Sequence, residues 1–113
     1  EWAYNTPGAD RTDEAGRSPP PEPLVPNAGD RLPTTLPVAS IGRQLQEREL
    51  PVHRSLRPGN LVCNDVFVRL MASPDSGTPR GLVHLPPIRP KGVSRSELLE
   101  ASQALLEVTA EHL

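Results

Sequence analysis

Proline is the residue that most constrains what this chain can fold into. The sequence has 113 residues, of which 15 are Pro, and eight of these fall within residues 1–37. Each proline fixes its own φ and restrains the residue before it, so this segment is kept out of helix. The run Ser18–Pro23 predicts polyproline II conformation. Residues 1–37 are therefore predicted to form an extended arm.

Apolar side chains are scarce, and aromatic ones most of all. The chain has one Trp, one Tyr and one Phe, at Trp2, Tyr4 and Phe67. Ordering a residue costs about 1–2 kcal/mol, and the arm has too little apolar surface to offset that cost. A core of the chain's own is expected only from residues 38–113. The predicted fold class is a mostly irregular, extended Pro-rich chain with a small α+β content.

Two elements are predicted in the middle of the chain. Residues 40–50 form a short helix that starts at Ser40 as N-cap and stops before Pro51. The alternation of apolar residues over 61–71 predicts a strand, and residues 81–85 predict a returning strand. Together these two strands would make a β-hairpin with a long loop, which needs a surface to pack on.

The clearest local signal lies near the C-terminal end. Ser94 and Glu97 have the spacing of a capping box, which predicts an amphipathic helix over about residues 95–112. Its apolar arc is wide enough to require burial on more than one side. The rest of the chain offers too few apolar groups to cover it. The predicted organisation is an arm (1–37), a small irregular or hairpin region (38–93) and a C-terminal docking helix (94–113).

Charge is distributed unevenly along the chain, whose net charge is −2. Residues 38–93 carry seven Arg and one Lys against four acidic residues, which gives this region a net charge of +4. A loose basic run within it consists of Arg43, Arg48, Arg54 and Arg57. Such a run suits an acidic protein surface or an RNA phosphate backbone. The acidity of the whole chain favours a protein partner over rRNA.

No sequence motif specifies a reaction. His53, Cys63, Asp65 and His84 match no zinc-binding spacing. Cys63, within a predicted strand, is interpreted as a small buried apolar residue, and a single Cys excludes an internal disulfide. The sequence therefore predicts no enzyme, no catalytic residue, no cofactor, no metal and no small-molecule substrate.

The predicted function is that of a non-catalytic accessory subunit in a large multiprotein assembly. A Pro-rich chain with Arg in place of Lys and no N-terminal Met is typical of organellar subunits, so the expected location is mitochondrial or another organellar matrix. Respiratory-chain or ATP-synthase-type complexes and the mitochondrial ribosome are the expected hosts. The alternative is a small free protein-binding module with a disordered regulatory tail. No apolar run approaches the roughly 20 residues of a membrane span.

The residues predicted to bind partner subunits come from all three segments. Trp and Tyr are favoured interface anchors, arginine makes bidentate contacts, and buried leucines would carry the docking helix. The predicted partner-binding residues are Trp2, Tyr4, Arg54, Arg57, Leu98, Leu105 and Leu106.

Overall fold

The computed structural model describes residues 2–5, 15–17, 22–59, 61–74 and 77–113. Its elements are β1 (Trp2–Tyr4), β2 (Arg31–Pro33), α1 (Val38–Glu47), α2 (Leu61–Ala72) and α3 (Arg95–Ala110). The chain divides by its contacts into two compact units. The first comprises residues 1–34, 55–76 and 80–82, and the second comprises residues 35–54, 77–79 and 83–113. These units interleave along the sequence, whereas the three predicted segments are consecutive. The boundaries of those three segments stay a prediction.

In the first unit, a two-stranded sheet packs against a helix. β1 and β2 are antiparallel, with Ala3 opposite Leu32. Ala3 is completely buried and joins Phe67 and Val68 of α2 in one apolar cluster. The residues predicted to be an extended arm thus contribute both strands of a sheet and part of a core.

Asn5 fastens the end of β1 to the loop that precedes β2. Its side chain is buried. The carboxamide oxygen accepts the Val25 N–H at 2.8 Å, and the nitrogen donates to the carbonyl oxygens of Val25 and Ala28 at 2.9 and 3.3 Å. Because a buried polar group left unpaired is costly, this loop is held in one conformation.

The predicted fold class, a mostly irregular chain, is wrong, and the positions of the prolines give the reason. Pro33 is the last residue of β2 and Pro37 is the N-cap of α1. Pro51 follows the end of α1. A proline at the boundary of an element removes no hydrogen bond from its interior. Residues 18–21, most of the predicted polyproline II run, lie outside the described residues.

The predicted β-hairpin is also wrong, because residues 61–71 belong to the helix α2. Helical spacing brings Phe67, Val68 and Met71 to one side, where the first two are buried. Asp65 Oδ1 and Arg69 Nε, one turn apart, form an ion pair of 2.7 Å. Valine favours strands intrinsically, but packing against the sheet overrides that preference. Residues 81–85 carry no regular secondary structure.

Arg80 caps the C-terminal end of α2. Its Nη1 donates to the carbonyl oxygens of Leu70 and Ser73 at 3.1 and 3.0 Å. Nη2 donates to the carbonyl oxygen of Pro74 at 2.6 Å. A cation suits this end of a helix because the last carbonyls lack partners within the helix. Arg80 thereby joins its own segment to the C-terminal end of α2.

The second unit is built on the pairing of α1 with α3. Its core cluster contains Ile41, Leu45, Leu50, Ala104 and Val108. The predicted common face of Ile41 and Leu45 is confirmed by their burial. The predicted N-cap Ser40 is wrong, because α1 begins at Val38 and has no side-chain cap.

The predicted capping box of α3 is confirmed. Glu97 N–H donates to Ser94 Oγ at 3.2 Å, and Ser94 N–H donates to Glu97 Oε1 at 3.0 Å. Just before this cap, Val93 N–H donates to the carbonyl oxygen of Pro87. A Cβ on Gly92 would overlap that same carbonyl group. Glycine is therefore required at residue 92 by the close approach of two backbone segments.

Candidate active site

Cys63 lies in the first turn of α2. It is the chain's one cysteine, half-buried, and the third residue of the helix. Two described residues lie shortly before the helix: Pro58 is buried, and Gly59 has a φ of 88°. Glycine adopts this left-handed conformation without the steric cost that other residues incur. The thiol of Cys63 thus lies at the beginning of a helix.

Asn64 fixes that helical turn against β1. The Tyr4 N–H donates to Asn64 Oδ1 at 2.8 Å, and Asn64 Nδ2 donates to the Tyr4 carbonyl oxygen at 2.7 Å. Both backbone groups of Tyr4 are satisfied by one carboxamide, which matches them donor for acceptor. The backbone that carries Cys63 is consequently held by a strand 60 residues away in sequence.

The predicted anchors Trp2 and Tyr4 both lie in β1 and are half-buried. The guanidinium carbon of Arg31 lies 4.2 Å from the centre of the Trp2 ring, a cation–π arrangement between paired strands. The two residues therefore have contacts within their own chain. Their binding to another chain stays a prediction.

The histidines occupy different settings. His84 is exposed in the segment between α2 and α3. His53 is exposed in the segment after α1. The Nδ1 of His112 lies 2.8 Å from the Val108 carbonyl oxygen. Within the described ranges, no group of three or more His, Cys, Asp or Glu side chains is arranged to hold a metal ion.

The other predicted partner-binding residues are scattered. Arg54 and Arg57 are exposed, and Leu98 is half-buried. Leu105 packs against the core cluster of its own unit, whereas Leu106 is 67% exposed. A role for them in binding another chain stays a prediction. No helix among the described residues is long and apolar enough to cross a membrane.

Solved structures with the same fold are peptidases. A crystal structure of a mutant pyrrolidone carboxyl peptidase from Pyrococcus furiosus matches with a TM-score of 0.81 at 28% identity, covering 99% of this chain and 61% of that chain. Crystal structures of pyrrolidone carboxyl peptidase from the same organism and of its cysteine-free mutant match with a TM-score of 0.80 at 28% identity, covering 97% of this chain and 60% of that chain.

Sequence relatives bear the same kind of name. The pyrrolidone-carboxylate peptidase of Chromobacterium violaceum is 41% identical over 85 residues, which are 74% of this chain and 39% of that protein. The Pyrococcus furiosus enzyme is 31% identical over 126 aligned positions, covering 98% of this chain and 61% of that protein. The profile of the pyroglutamyl peptidase family matches residues 2–110. The chain belongs to this family, and it spans 39% and 61% of the length of these two relatives.

Family membership corrects the function predicted from sequence. A non-catalytic accessory subunit and the absence of an enzyme are both wrong, because the family is one of peptidases. The prediction that the partners are other subunits of a large complex is wrong for the same reason, and so is the prediction of no small-molecule substrate. The organellar location has no support, since these relatives come from a bacterium and an archaeon.

The candidate residue that sequence reasoning did not single out is Cys63, which was assigned to packing within a strand. Two signals in the sequence indicate otherwise. The Pro58-Gly59 turn stands directly before the apolar segment, and the opposite charges at Asp65 and Arg69 have helical i,i+4 spacing. Both fit a helix that begins just ahead of the thiol.

Proposed function

We propose that the protein hydrolyses the bond that follows an N-terminal pyroglutamyl residue, with Cys63 as the nucleophile. The family match over residues 2–110 supports the reaction. The observation that carries the role of Cys63 is its position: the chain's one thiol lies in the first turn of a helix. A single cysteine in an enzyme that also has histidines is the usual candidate for such a nucleophile.

The chemistry follows from a thiolate and a base. The sulfur attacks the carbonyl carbon that links the pyroglutamyl residue to the next residue, not the lactam carbonyl carbon of the ring. The proton of the thiol passes through the base to the departing amine nitrogen. The carbon–nitrogen bond breaks and a thioester remains. Water then adds to the same carbon, the carbon–sulfur bond breaks, and the thiol regains a proton. The products are pyroglutamate and the shortened peptide.

The beginning of α2 suits the charges that this reaction develops. A helix carries partial positive charge at its N-terminal end, where backbone N–H groups have no partner within the helix. Negative charge on the sulfur of Cys63, and later on the carbonyl oxygen under attack, is stabilised by such a field. The hydrogen bonds from Asn64 to Tyr4 hold that end of the helix in place.

We expect His84 to be the base. An imidazole is the side chain best suited to exchange protons near neutral pH. A ring nitrogen of His112 is engaged with the Val108 carbonyl oxygen. His84 and His53 are the other two of the three histidines of the chain, and the substitutions described below decide between them.

The test of the nucleophile uses a chimera, because the chain spans 61% of the Pyrococcus furiosus relative. Residues 1–113 replace the matching region of that enzyme, and activity is the release of a fluorescent amine from its pyroglutamyl amide. We expect Cys63→Ser to lower kcat by at least about a thousandfold. Val62→Ser, at the neighbouring exposed position, should change it by less than about threefold. A Cys63→Ser chimera that keeps its activity excludes Cys63 as nucleophile.

The base is tested in the same chimera with two matched substitutions. His84→Gln should lower kcat by about a hundredfold to ten-thousandfold, the usual contribution of a general base. His53→Gln should leave kcat nearly unchanged. Loss of activity in His53→Gln alone would assign the base to His53. A prolyl amide of the same amine should not be cleaved, since its ring lacks the lactam oxygen.

A further inference from the structure

We propose that the second unit carries a binding site for a phosphate group, formed by Arg43, His53 and Arg54. The site is a surface depression of about 200 Å³. Helix α1 contributes Gly42, Arg43 and Gln46 to its lining, and the segment after α1 contributes His53 and Arg54. The proposal is independent of the peptidase chemistry, because it uses none of the residues assigned to that reaction.

Arg43 and Arg54 carry the positive charge at this depression. Within the part of the chain that the structure describes, their side chains take part in no ion pair and no hydrogen bond. Arg48 differs from them, since its Nη2 lies 3.5 Å from Glu107 Oε2. Two guanidinium groups that form no ion pair, beside one concavity, are available to bind an anion.

Gly42 gives the depression its shape. It lies in the interior of α1, where glycine is unfavourable relative to alanine. A Cβ at this residue would meet no atom within 4 Å, so packing does not require glycine here. Gly42 lines the depression, and the missing side chain leaves that part of the lining open.

Size and charge together select the ligand. Pockets for drug-sized ligands measure about 300–1,000 Å³, and the depression is smaller than that. It therefore admits a small group. The planar fork of arginine matches the oxygens of phosphate, to which it donates two parallel hydrogen bonds. Two such forks and an imidazole suit a dianion better than a single carboxylate. The phosphate group can belong to the free ion or to a small phosphomonoester.

The first experiment titrates inorganic phosphate into the isotopically labelled 113-residue chain at constant ionic strength, with chloride as the reference anion. Saturable shifts are expected for the backbone amides of Gly42, Arg43, His53 and Arg54. Arg43→Gln and Arg54→Gln should each weaken phosphate binding by about tenfold, the loss expected for one charge-assisted contact. Far-UV circular dichroism verifies that each variant retains its helices.

Two matched variants distinguish a specific phosphate site from a general electrostatic attraction of anions to the protein surface. Arg57→Gln removes the same charge from an exposed arginine outside the depression, and it should leave phosphate affinity unchanged. Gly42→Leu fills the depression without changing any charge, and it should abolish the saturable shifts. Glycerol phosphate, titrated in parallel, separates the two sources: binding tighter than that of the free ion assigns the site to a phosphomonoester, and weaker binding assigns it to free phosphate.

Four results would overturn the proposal. The first is the absence of any saturable shift with either phosphate compound. The second is a loss of affinity in Arg57→Gln equal to that in Arg43→Gln. The third is full binding by Gly42→Leu. The fourth is much tighter binding of a single-stranded oligonucleotide with a steep salt dependence, which would make the arginines part of a nucleic-acid surface.

Discussion

Asn64 pairs with both main-chain groups of Tyr4, and this exchange fixes the backbone next to Cys63. Asn64→Ala leaves a part-buried donor and a part-buried acceptor unpaired, so we expect a loss of about 1–3 kcal/mol in the free energy of unfolding. Trp2 fluorescence during urea unfolding measures it, because Trp2 lies in the same sheet. Alkylation of Cys63 should become faster as well. Gln46→Ala, at an exposed position of α1, should cost under about 0.5 kcal/mol.

Glu97 determines how α3 responds to acid. Its pKa is lowered from 4.5 to about 2, first because the Ser94 backbone N–H donates to the carboxylate, and then because the Ser94 side chain and Arg89 bond to it. The folded-state pKa lies below the unfolded value. The stabilisation that Glu97 contributes to α3 is therefore complete above about pH 4.5 and is lost as the pH falls through about 2.

The carboxyl carbon of Glu97, followed by NMR as the pH is lowered, should titrate with a midpoint near 2. Glu97→Gln preserves an acceptor for the Ser94 N–H, so α3 should remain formed while this part of its acid sensitivity disappears. A midpoint near the ordinary value of 4.5 would show that the hydrogen bonds of the capping box are not formed in solution.

At the scale of elements, two glycines respond to alanine in opposite ways. Gly42→Ala in α1 meets open space and should raise the free energy of unfolding by about 0.5–1 kcal/mol, since alanine is the better helix former. Gly92→Ala places a Cβ on the carbonyl group of Pro87 and should lower it by about 1–3 kcal/mol through overpacking. Thermal unfolding of both variants checks the two signs. Equal effects would contradict the backbone contact at Gly92.

Local signals decided which elements could be predicted from the sequence. The start of α3 was predictable because Ser94 and Glu97 lie three residues apart and complete the cap between themselves. The start of α1 was placed at Ser40, two residues late, because Pro37 caps it without a side-chain signal. Helix α2 was predicted as a strand for two reasons. Its apolar residues alternate as they do in a strand, and its valines have a high strand propensity. Contact with the sheet, together with the i,i+4 spacing of Asp65 and Arg69, favours the helix.

At the scale of the whole molecule, the folded chain depends on two apolar clusters that share no residue. Phe67→Ala in one cluster should cost about 3–5 kcal/mol, and Val108→Ala in the other about 1–3 kcal/mol. Effects without shared partners add to within about 0.5 kcal/mol, and urea unfolding of both single variants and the double variant measures this. A large deviation from the sum would mean that the clusters are energetically coupled.

The candidate site could not be predicted from the sequence, because its residues lie far apart along the chain. Cys63 acquires its setting from Tyr4, which is 59 residues earlier, and no local pattern encodes that meeting. The proline content was misleading as well, because it does not distinguish prolines at the boundaries of helices and strands from prolines in a disordered arm. Both clusters draw residues from separate parts of the chain, and no local pattern indicates which of these parts meet.

The bond between Tyr4 and Asn64 also has a consequence for biosynthesis. The two residues are 60 positions apart, and a ribosome adds about 5–20 residues per second, so roughly 3–12 s separate their synthesis. During that interval β1 has been synthesised but Asn64, whose carboxamide hydrogen-bonds to the Tyr4 backbone, has not. The first turn of α2 is fixed against β1 only after that wait, so the thiol of Cys63 reaches its ordered setting no earlier than the synthesis of Asn64.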